Sequence, residues 1–273
     1  MYNFLNTFLN SNFFNKLPNF LARKIFKIFK IFFIETNFSS LPDNNHPTNI
    51  DEKNQLRIIK NFNDKFYKPF STCAYLLEIL TLYESIESKV KIFDFGANNI
   101  DNYIYLKRYL KNWKYTYHDL PTYNAYISNM IKNNNWKDIN VLNNLSEINE
   151  QFDFIFFGSS IHYVKNYREI LKELCSKKSK YLIFSHTPFY MSDKNDKDIV
   201  MKQVNIHPII NYAYLIEYNN FIKFMEENNY KLILQNKNNF IKFLNFNNFK
   251  NFSFINFLDL TFVNKKYNEN KIN

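Results

Sequence analysis

Between about residue 90 and residue 230 the sequence alternates strand-like with helix-like segments, and the only two glycines of its 273 residues each close one of the strand-like runs. Val90-Lys91-Ile92-Phe93-Asp94-Phe95 leads into Gly96, and Phe152-Asp153-Phe154-Ile155-Phe156-Phe157 leads into Gly158. Strands are predicted near 90–96, 114–119, 139–143, 152–158 and 179–186, with helices near 100–111, 122–135, 165–177 and 217–229. Alternation at this spacing predicts a parallel sheet covered by helices on both faces and joined by right-handed crossovers. After the last helix, "YKLILQNKNNF" and "FSFINFLDLTFVNKK" read as two strands with no clear helix between them, so they are expected to pair antiparallel.

A chain that has nearly dispensed with glycine keeps it where the backbone must turn left-handed or where another molecule must come close. In an open parallel sheet, ligands bind in the crevice at the carboxyl ends of the strands, where both glycines fall. A dinucleotide would call for G-x-G-x-x-G, and "DFGANN" does not supply it. One close approach at Gly96 with the carboxylate of Asp94 suits a ligand end without phosphates, such as the amino-acid end of S-adenosylmethionine. Asp119 ends the second strand about 20 residues further on, the spacing at which a carboxylate reaches a ribose diol; capping the next helix is the alternative role.

Composition sets few further limits. Hydrophobic residues at 46% and charged residues at 22% describe a chain able to bury a full-sized core. The surplus of 35 Lys and Arg over 25 Asp and Glu permits an anionic partner, but it also follows from general enrichment in Lys, Asn, Ile and Phe. Cys73 and Cys175 stand far apart without a Cys-x-x-Cys or His-rich neighbourhood, so no metal and no disulfide framework is expected. "MSDKNDKD" lacks the glycine and terminal glutamate of a calcium loop and reads as a solvated turn.

The first 55 residues read as an N-terminal amphipathic helix and a linker, and 56–273 as the main domain. "NFLARKIFKIFKIFFIETNF" puts Arg23, Lys24, Lys27 and Lys30 within an arc of roughly 120° on a helix. The stretch is too charged to span a membrane, and it lacks the small-residue cleavage site of a signal peptide. It either lies on an anionic membrane surface or packs on the main domain. Cytoplasmic location, with peripheral membrane contact as an added possibility, is the expectation.

The segment from about Lys89 to Tyr230 resembles a class I S-adenosylmethionine-dependent methyltransferase. "KIFDFGANN" resembles that family's first motif, the Asp119 region its second, and "FDFIFFGSSIHYVKNYREILKEL" the fourth strand and the helix after it. More narrowly, "SHTPFY" together with "VMKQVNIHPIINYAYLIEYNNFIKFMEENNY" is similar to a methyltransferase group associated with surface-polysaccharide loci. The resemblance implies an α/β, Rossmann-like, doubly wound and mostly parallel seven-stranded sheet with a reversed last strand, here carrying an N-terminal helical extension. It implies S-adenosylmethionine as cofactor, with Asp94, Gly96 and Asn98 beside its methionine portion, Asp119 on the ribose, and Asn143 or Asn144 facing the adenine. Gly158, Ser159 and Ser160 would line the floor, the serines being helix caps in the alternative reading. The family's second and third motif glycines are replaced here by Asn98 and Ile100. If Gly96 meets the ligand, Gly96→Val should block binding and leave the domain folded.

Methyl transfer to a hydroxyl or amine requires alignment of the nucleophile and removal of its proton, a task that suits histidine. His186, at the end of the fifth strand, leads the catalytic candidates, followed by His162 and Tyr212; packing is the alternative role for each. The segment from His186 to Tyr212 is expected to be a long substrate-binding loop, with Gln203 and His207 on the acceptor. Small-molecule or glycan methylation is the leading reading. RNA methylation rests on net charge alone, and nucleic acid is not the expected partner. A methyltransferase-like module without catalysis is the reading from a different class.

Overall fold

The computed structural model describes residues 11, 16–18, 20–22, 24–25, 33–43, 52–61, 71–84, 89–192, 197–203, 211–237 and 254–268. In chain order the elements are β1 (Phe33–Glu35), α1 (Glu52–Asn61), α2 (Ser71–Tyr83), β2 (Val90–Phe95), α3 (Asp101–Leu106), β3 (Trp113–His118), α4 (Pro121–Asn134), β4 (Ile139–Val141), β5 (Phe154–Gly158), α5 (Tyr167–Ser176), β6 (Tyr181–Met191), β7 (Ile199–Gln203), β8 (Asn211–Glu217), α6 (Tyr218–Glu227), β9 (Tyr230–Lys237), β10 (Phe254–Asn264) and α7 (Lys265–Asn268). Local chemistry sets several of these boundaries. Pro121 starts α4 at a position where its missing N–H costs nothing, and Asn135 ends it in the left-handed region at φ 50°. The Glu217 carboxylate caps α6 by accepting the Asn220 N–H at 2.7 Å.

The main sheet runs β4-β3-β2-β5-β6-β10-β9. Its first five strands are parallel, whereas β10 is antiparallel to both β6 and β9. This is the expected mostly parallel seven-stranded sheet with its reversed last strand. Period-two alternation divides the core between the two faces of the sheet. Phe93, Phe95, Ile155, Phe157, Leu182 and Phe184 pack with Leu171 and Leu174 of α5 and with Phe221 and Met225 of α6. On the other face Ile92, Tyr115, Phe154, Phe156 and Ile183 pack with residues of α2, α3 and α4, among them Leu76, Ile79, Tyr103 and Ile127. Each fully buried side chain of this size contributes about 2 kcal/mol, which makes these two layers the main source of stability.

The expected loop from His186 to Tyr212 is largely sheet. β6 continues past His186 to Met191, where Phe189 and Tyr190 pair in parallel with Ile216 and Glu217 of β8. β7 then pairs antiparallel with β8, and β1 closes the far edge against β7, with Phe33 opposite Gln203. Backbone donors along a β6 that outruns β5 need partners, and β8 supplies them. Residues 33–35, expected at the end of a helix, are therefore a strand. The supposed linker likewise contributes Leu41 to the core at 1% exposure, its N–H donating to the Tyr214 hydroxyl at 3.3 Å. The main body thus reaches back to Phe33, on the N-terminal side of the expected boundary at residue 55. Of the basic helix, Phe20–Ala22, Lys24 and Ile25 are helical, while Arg23, Lys27 and Lys30 lie outside the described residues. Among the described residues no helix is long and apolar enough to cross a membrane.

Candidate functional site

At the carboxyl end of β2 the backbone turns left-handed at Gly96, φ 65°, and its N–H donates to the His118 carbonyl at 2.8 Å. A Cβ at this position would lie 2.5 Å from the Ser160 Cβ, so part of the need for glycine is the close approach of the loop after β5. Two residues on, Asn98 is exposed and left-handed at φ 57°, a region that Asn tolerates better than most side chains. Its N–H donates to Asp119 Oδ2 at 2.6 Å, and Asp119 Oδ1 accepts the Leu120 N–H at 2.6 Å. Asp119 thus ties down the first loop and holds the N–H of Leu120, the residue that precedes α4, without capping the helix itself. A carboxylate has about four acceptor positions, and these two N–H groups use two of those on the half-buried Asp119.

Asp94, expected beside the ligand, is wholly buried under this turn. Its Oδ2 accepts from Asn102 Nδ2 at 2.7 Å and from the Tyr115 hydroxyl, and Oδ1 has no hydrogen-bond partner among the described residues. Burial pushes its pKa up to about 6, against the lowering effect of the Asn102 and Tyr115 hydrogen bonds. Cys73 donates its thiol to Asn102 Oδ1 at 2.6 Å, completing a buried polar chain beneath α3. Neither Asn102 nor Tyr115 was singled out from the sequence.

Beside this crest the ends of β5 and β6 are knitted together. Gly158 leaves room for the Phe156 ring, whose Cε1 would lie 2.7 Å from an added Cβ. Ser159, left-handed at φ 61°, donates its N–H to the Ser185 carbonyl at 2.8 Å. The Ser160 hydroxyl donates to the Phe95 carbonyl at 2.7 Å, so the capping role weighed for it is not the one it has. His162 follows on a 3-10 turn, Ile161–Tyr163, fully buried, with neither ring nitrogen hydrogen-bonded among the described residues. Burial, reinforced by the nearby His186, pushes its pKa down to about 3, which keeps the ring neutral at physiological pH.

His186 sits on a bulge, half-exposed and left-handed at φ 52°. Asp259 of β10, absent from the sequence-based candidates, accepts both the Ser185 hydroxyl at 2.7 Å and the His186 N–H at 2.8 Å through the same oxygen. A lone carboxylate inside "FINFLDLTFVN" was the available signal, because a charge in an apolar strand must find donors. Tyr163, also unmarked in the sequence reading, donates its hydroxyl to Gln203 Oε1 at 3.1 Å. Tyr212 is half-buried, with its ring edge-on to Phe38 at 5.3 Å, and burial raises its pKa. Asn143 is exposed beyond β4; Asn144 donates its amide to Glu147 Oε1 at 3.0 Å. His207 lies outside the described residues.

A cleft of about 570 Å³ between α5 and α6 lies away from these strand ends. Its charges are largely matched: Arg168 pairs with Asp198 at 3.3 Å, Lys165 with Asp43 at 2.7 Å and Lys223 with Glu227 at 4.0 Å. The chemistry-bearing residues gather instead at the ends of β2, β3, β5 and β6.

No protein-family model and no curated protein matches the sequence. Solved structures do match in fold. One is a protein assigned as a sarcosine dimethylglycine methyltransferase from Galdieria sulphuraria, with TM-score 0.52 and 10% identity over 71% of this chain and 84% of that one. Another is the N-terminal domain of EvdMO1, determined in the presence of S-adenosylhomocysteine and D-fucose, with TM-score 0.50 and 8% identity over 80% of this chain and 98% of that one. The strand order, the reversed β10 and this likeness agree: the chain has the α/β Rossmann-like fold of the class I S-adenosylmethionine-dependent methyltransferases.

Proposed function

We propose that this chain transfers a methyl group from S-adenosylmethionine to a hydroxyl or amine of a small-molecule acceptor. The observation that carries the reading is the pairing of the left-handed turn after β2 with the Asp119 carboxylate at the end of β3, joined by the Asn98 N–H at 2.6 Å. That pairing sets a turn of backbone beside a carboxylate that would accept a diol, at the edge where an open α/β sheet binds nucleoside ligands. When bound, the cofactor would supply an activated methyl on a sulfonium.

The chain's own residues would divide the remaining work. Asp119 would accept the ribose hydroxyls, Gly96 and Asn98 would carry the amino-acid end, and Asn143 would face the adenine. Gly158, Ser159 and Ser160 would form the floor. Asp94 would act from below, holding Asn102 in the first turn of α3. His186 would take the proton from the acceptor's hydroxyl or amine as its oxygen or nitrogen gains the methyl, then release it to solvent. His162, buried and neutral, would lie behind it. Gln203, Tyr212 and His207 would orient the acceptor.

A sugar is the acceptor we favour, and a surface-polysaccharide precursor among sugars. The Tyr163 hydroxyl and the Gln203 amide, hydrogen-bonded to each other at 3.1 Å, and the half-exposed His186 would offer the polar groups that a ring with hydroxyl edges requires. The presence of D-fucose with the similar EvdMO1 domain accords with this choice. A cytoplasmic enzyme touching the membrane through its basic N-terminal segment would meet such a precursor on its lipid carrier.

Titration calorimetry of the full chain with S-adenosylhomocysteine tests the reading at its base. Saturable one-to-one binding is expected; absence of heat at millimolar ligand, with the protein folded, would overturn it.

A further inference from the structure

The β6–β10 pairing slips by one residue where the parallel strands end. Leu258 faces Thr187 and Leu260 faces Phe184, so Asp259 alone opposes both Ser185 and His186. Such a bulge re-aims side chains next to active sites, and a left-handed position is filled at least cost by glycine. Here it is filled by His186 at φ 52°, a conformation that costs a residue with a Cβ and persists only when its surroundings enforce it. The enforcement is visible. Asp259, 6% exposed, holds the His186 N–H and the Ser185 hydroxyl, and the Ser185 carbonyl accepts the Ser159 N–H from the end of β5.

We propose that Asp259 is a positioning residue, whose carboxylate locks the β6 bulge so that the His186 imidazole is held toward the reacting methyl. This rests on the methyltransferase reading. Among the described residues, Asp259 of β10 holds the His186 N–H and His162 of the 3-10 turn lies near its ring. A glycine would relax the bulge at no steric cost, so a histidine there trades stability for an imidazole in a fixed place.

Two measurements on the full chain test this. The first needs no cofactor. His186→Gly and His186→Ala both remove the ring, but only Ala keeps the left-handed penalty, so His186→Gly should melt about 2–4 °C above His186→Ala. Equal melting, or a lower value for glycine, overturns the claim of a locked, strained bulge.

The second follows the His186 ring resonance by NMR, assigned from its loss in His186→Gln. A ring close to the sulfonium should titrate at least about half a pH unit lower with S-adenosylmethionine bound than with the neutral S-adenosylhomocysteine. Asp259→Ala should abolish that difference while S-adenosylhomocysteine affinity stays within about twofold, and Asp259→Asn, which retains an acceptor oxygen, should restore it. If both ligands bind and the ring titrates alike with each, or if Asp259→Ala leaves the difference intact, the positioning role is wrong and the methyltransferase reading stands. If neither ligand binds, the methyltransferase reading and the positioning role fall together, and the melting comparison still decides whether the bulge is strained.

Discussion

Two strand ends in this molecule solve the same geometric problem with different residues. After β2 the chain is left-handed at Gly96 and Asn98, and Asp119 from the neighbouring strand accepts the Asn98 N–H. On β6 it is left-handed at His186, and Asp259 from the neighbouring strand accepts the His186 N–H. A buried ionisable group lies near each: Asp94 by the first, His162 by the second. The first end uses residues that adopt this conformation cheaply, and its buried carboxylate has donors from Asn102 and Tyr115. The second uses a costly residue, and its buried imidazole has no hydrogen-bond partner among the described residues. The costlier backbone strain thus lies on the side proposed for the acceptor, whereas each side keeps unmet buried polarity, at Asp94 Oδ1 and at both His162 ring nitrogens.

The sharpest way to break the comparison is at Gly96. Gly96→Ala is expected to destabilise by about 2–4 kcal/mol, combining the left-handed penalty with overlap against Ser160. This corrects the expectation that Gly96→Val would block a ligand without disturbing the fold, because the added atoms meet protein first. In a Ser160→Gly background the overlap is removed, and Gly96→Ala should then cost only about 1 kcal/mol. Chemical denaturation of the four proteins measures the coupling; additive costs would mean that Ser160 is not what the glycine accommodates.

Asp94 separates the two ends next, through pH. Its folded pKa of about 6 lies above the ordinary 3.8, so the folded state keeps the proton longer than the unfolded state. The associated stability is complete below about pH 4, is lost as pH rises through 6 and stays lost above. The span of about two units amounts to about 3 kcal/mol. Asp94→Asn should flatten this slope between pH 4 and 7. A slope as steep in the variant as in the parent would place the titrating group elsewhere.

How much of this was legible beforehand differed between the two ends. The parallel strands could be read because they are nearly continuous apolar runs that stop at glycines or polar turns, and Asp119 because it ends such a run. The β1-β7-β8 extension was hidden: Phe33-Ile34-Glu35 sits in a Phe- and Ile-rich stretch whose spacing also fits a helix, and β7 is short and follows a polar segment. Those strands exist because β6 outruns β5, a tertiary demand with no local signature. His186 could be named as a candidate, but its left-handed turn depends on a register slip against a strand some seventy residues away. Asp94 was named for ligand contact, and its actual partners, Asn102 and Tyr115, lie on a helix and a strand that only the fold brings together.

Asp119 carries the next largest effect. Asp119→Ala should weaken S-adenosylhomocysteine binding by about 1–3 kcal/mol and also lower stability, since the same carboxylate accepts the Asn98 and Leu120 N–H groups. Asp119→Asn, which keeps an acceptor oxygen for the loop, should recover most of the stability but less of the affinity. Full recovery of both would show that the charge has no part in holding the ligand.

The smallest effect at neutral pH is expected at His162. With neither ring nitrogen hydrogen-bonded, exchange for Phe removes no hydrogen bond and two buried polar atoms, so stability at pH 7 should be unchanged or higher by up to about 1 kcal/mol. The difference should then grow in acid. Burial depresses the folded pKa from 6.5 to about 3, so the native state resists a proton that the unfolded state accepts. The stability tied to this group is complete above about pH 6.5 and is lost as pH falls toward 3, about 2 kcal/mol of it by pH 5. His162→Phe should escape that loss, and its denaturation midpoint should separate from that of the parent between pH 6.5 and 5. A loss of several kcal/mol at pH 7 would mean that the imidazole is hydrogen-bonded after all, which would remove the contrast between a bare imidazole near His186 and a carboxylate that Asn102 and Tyr115 partly satisfy.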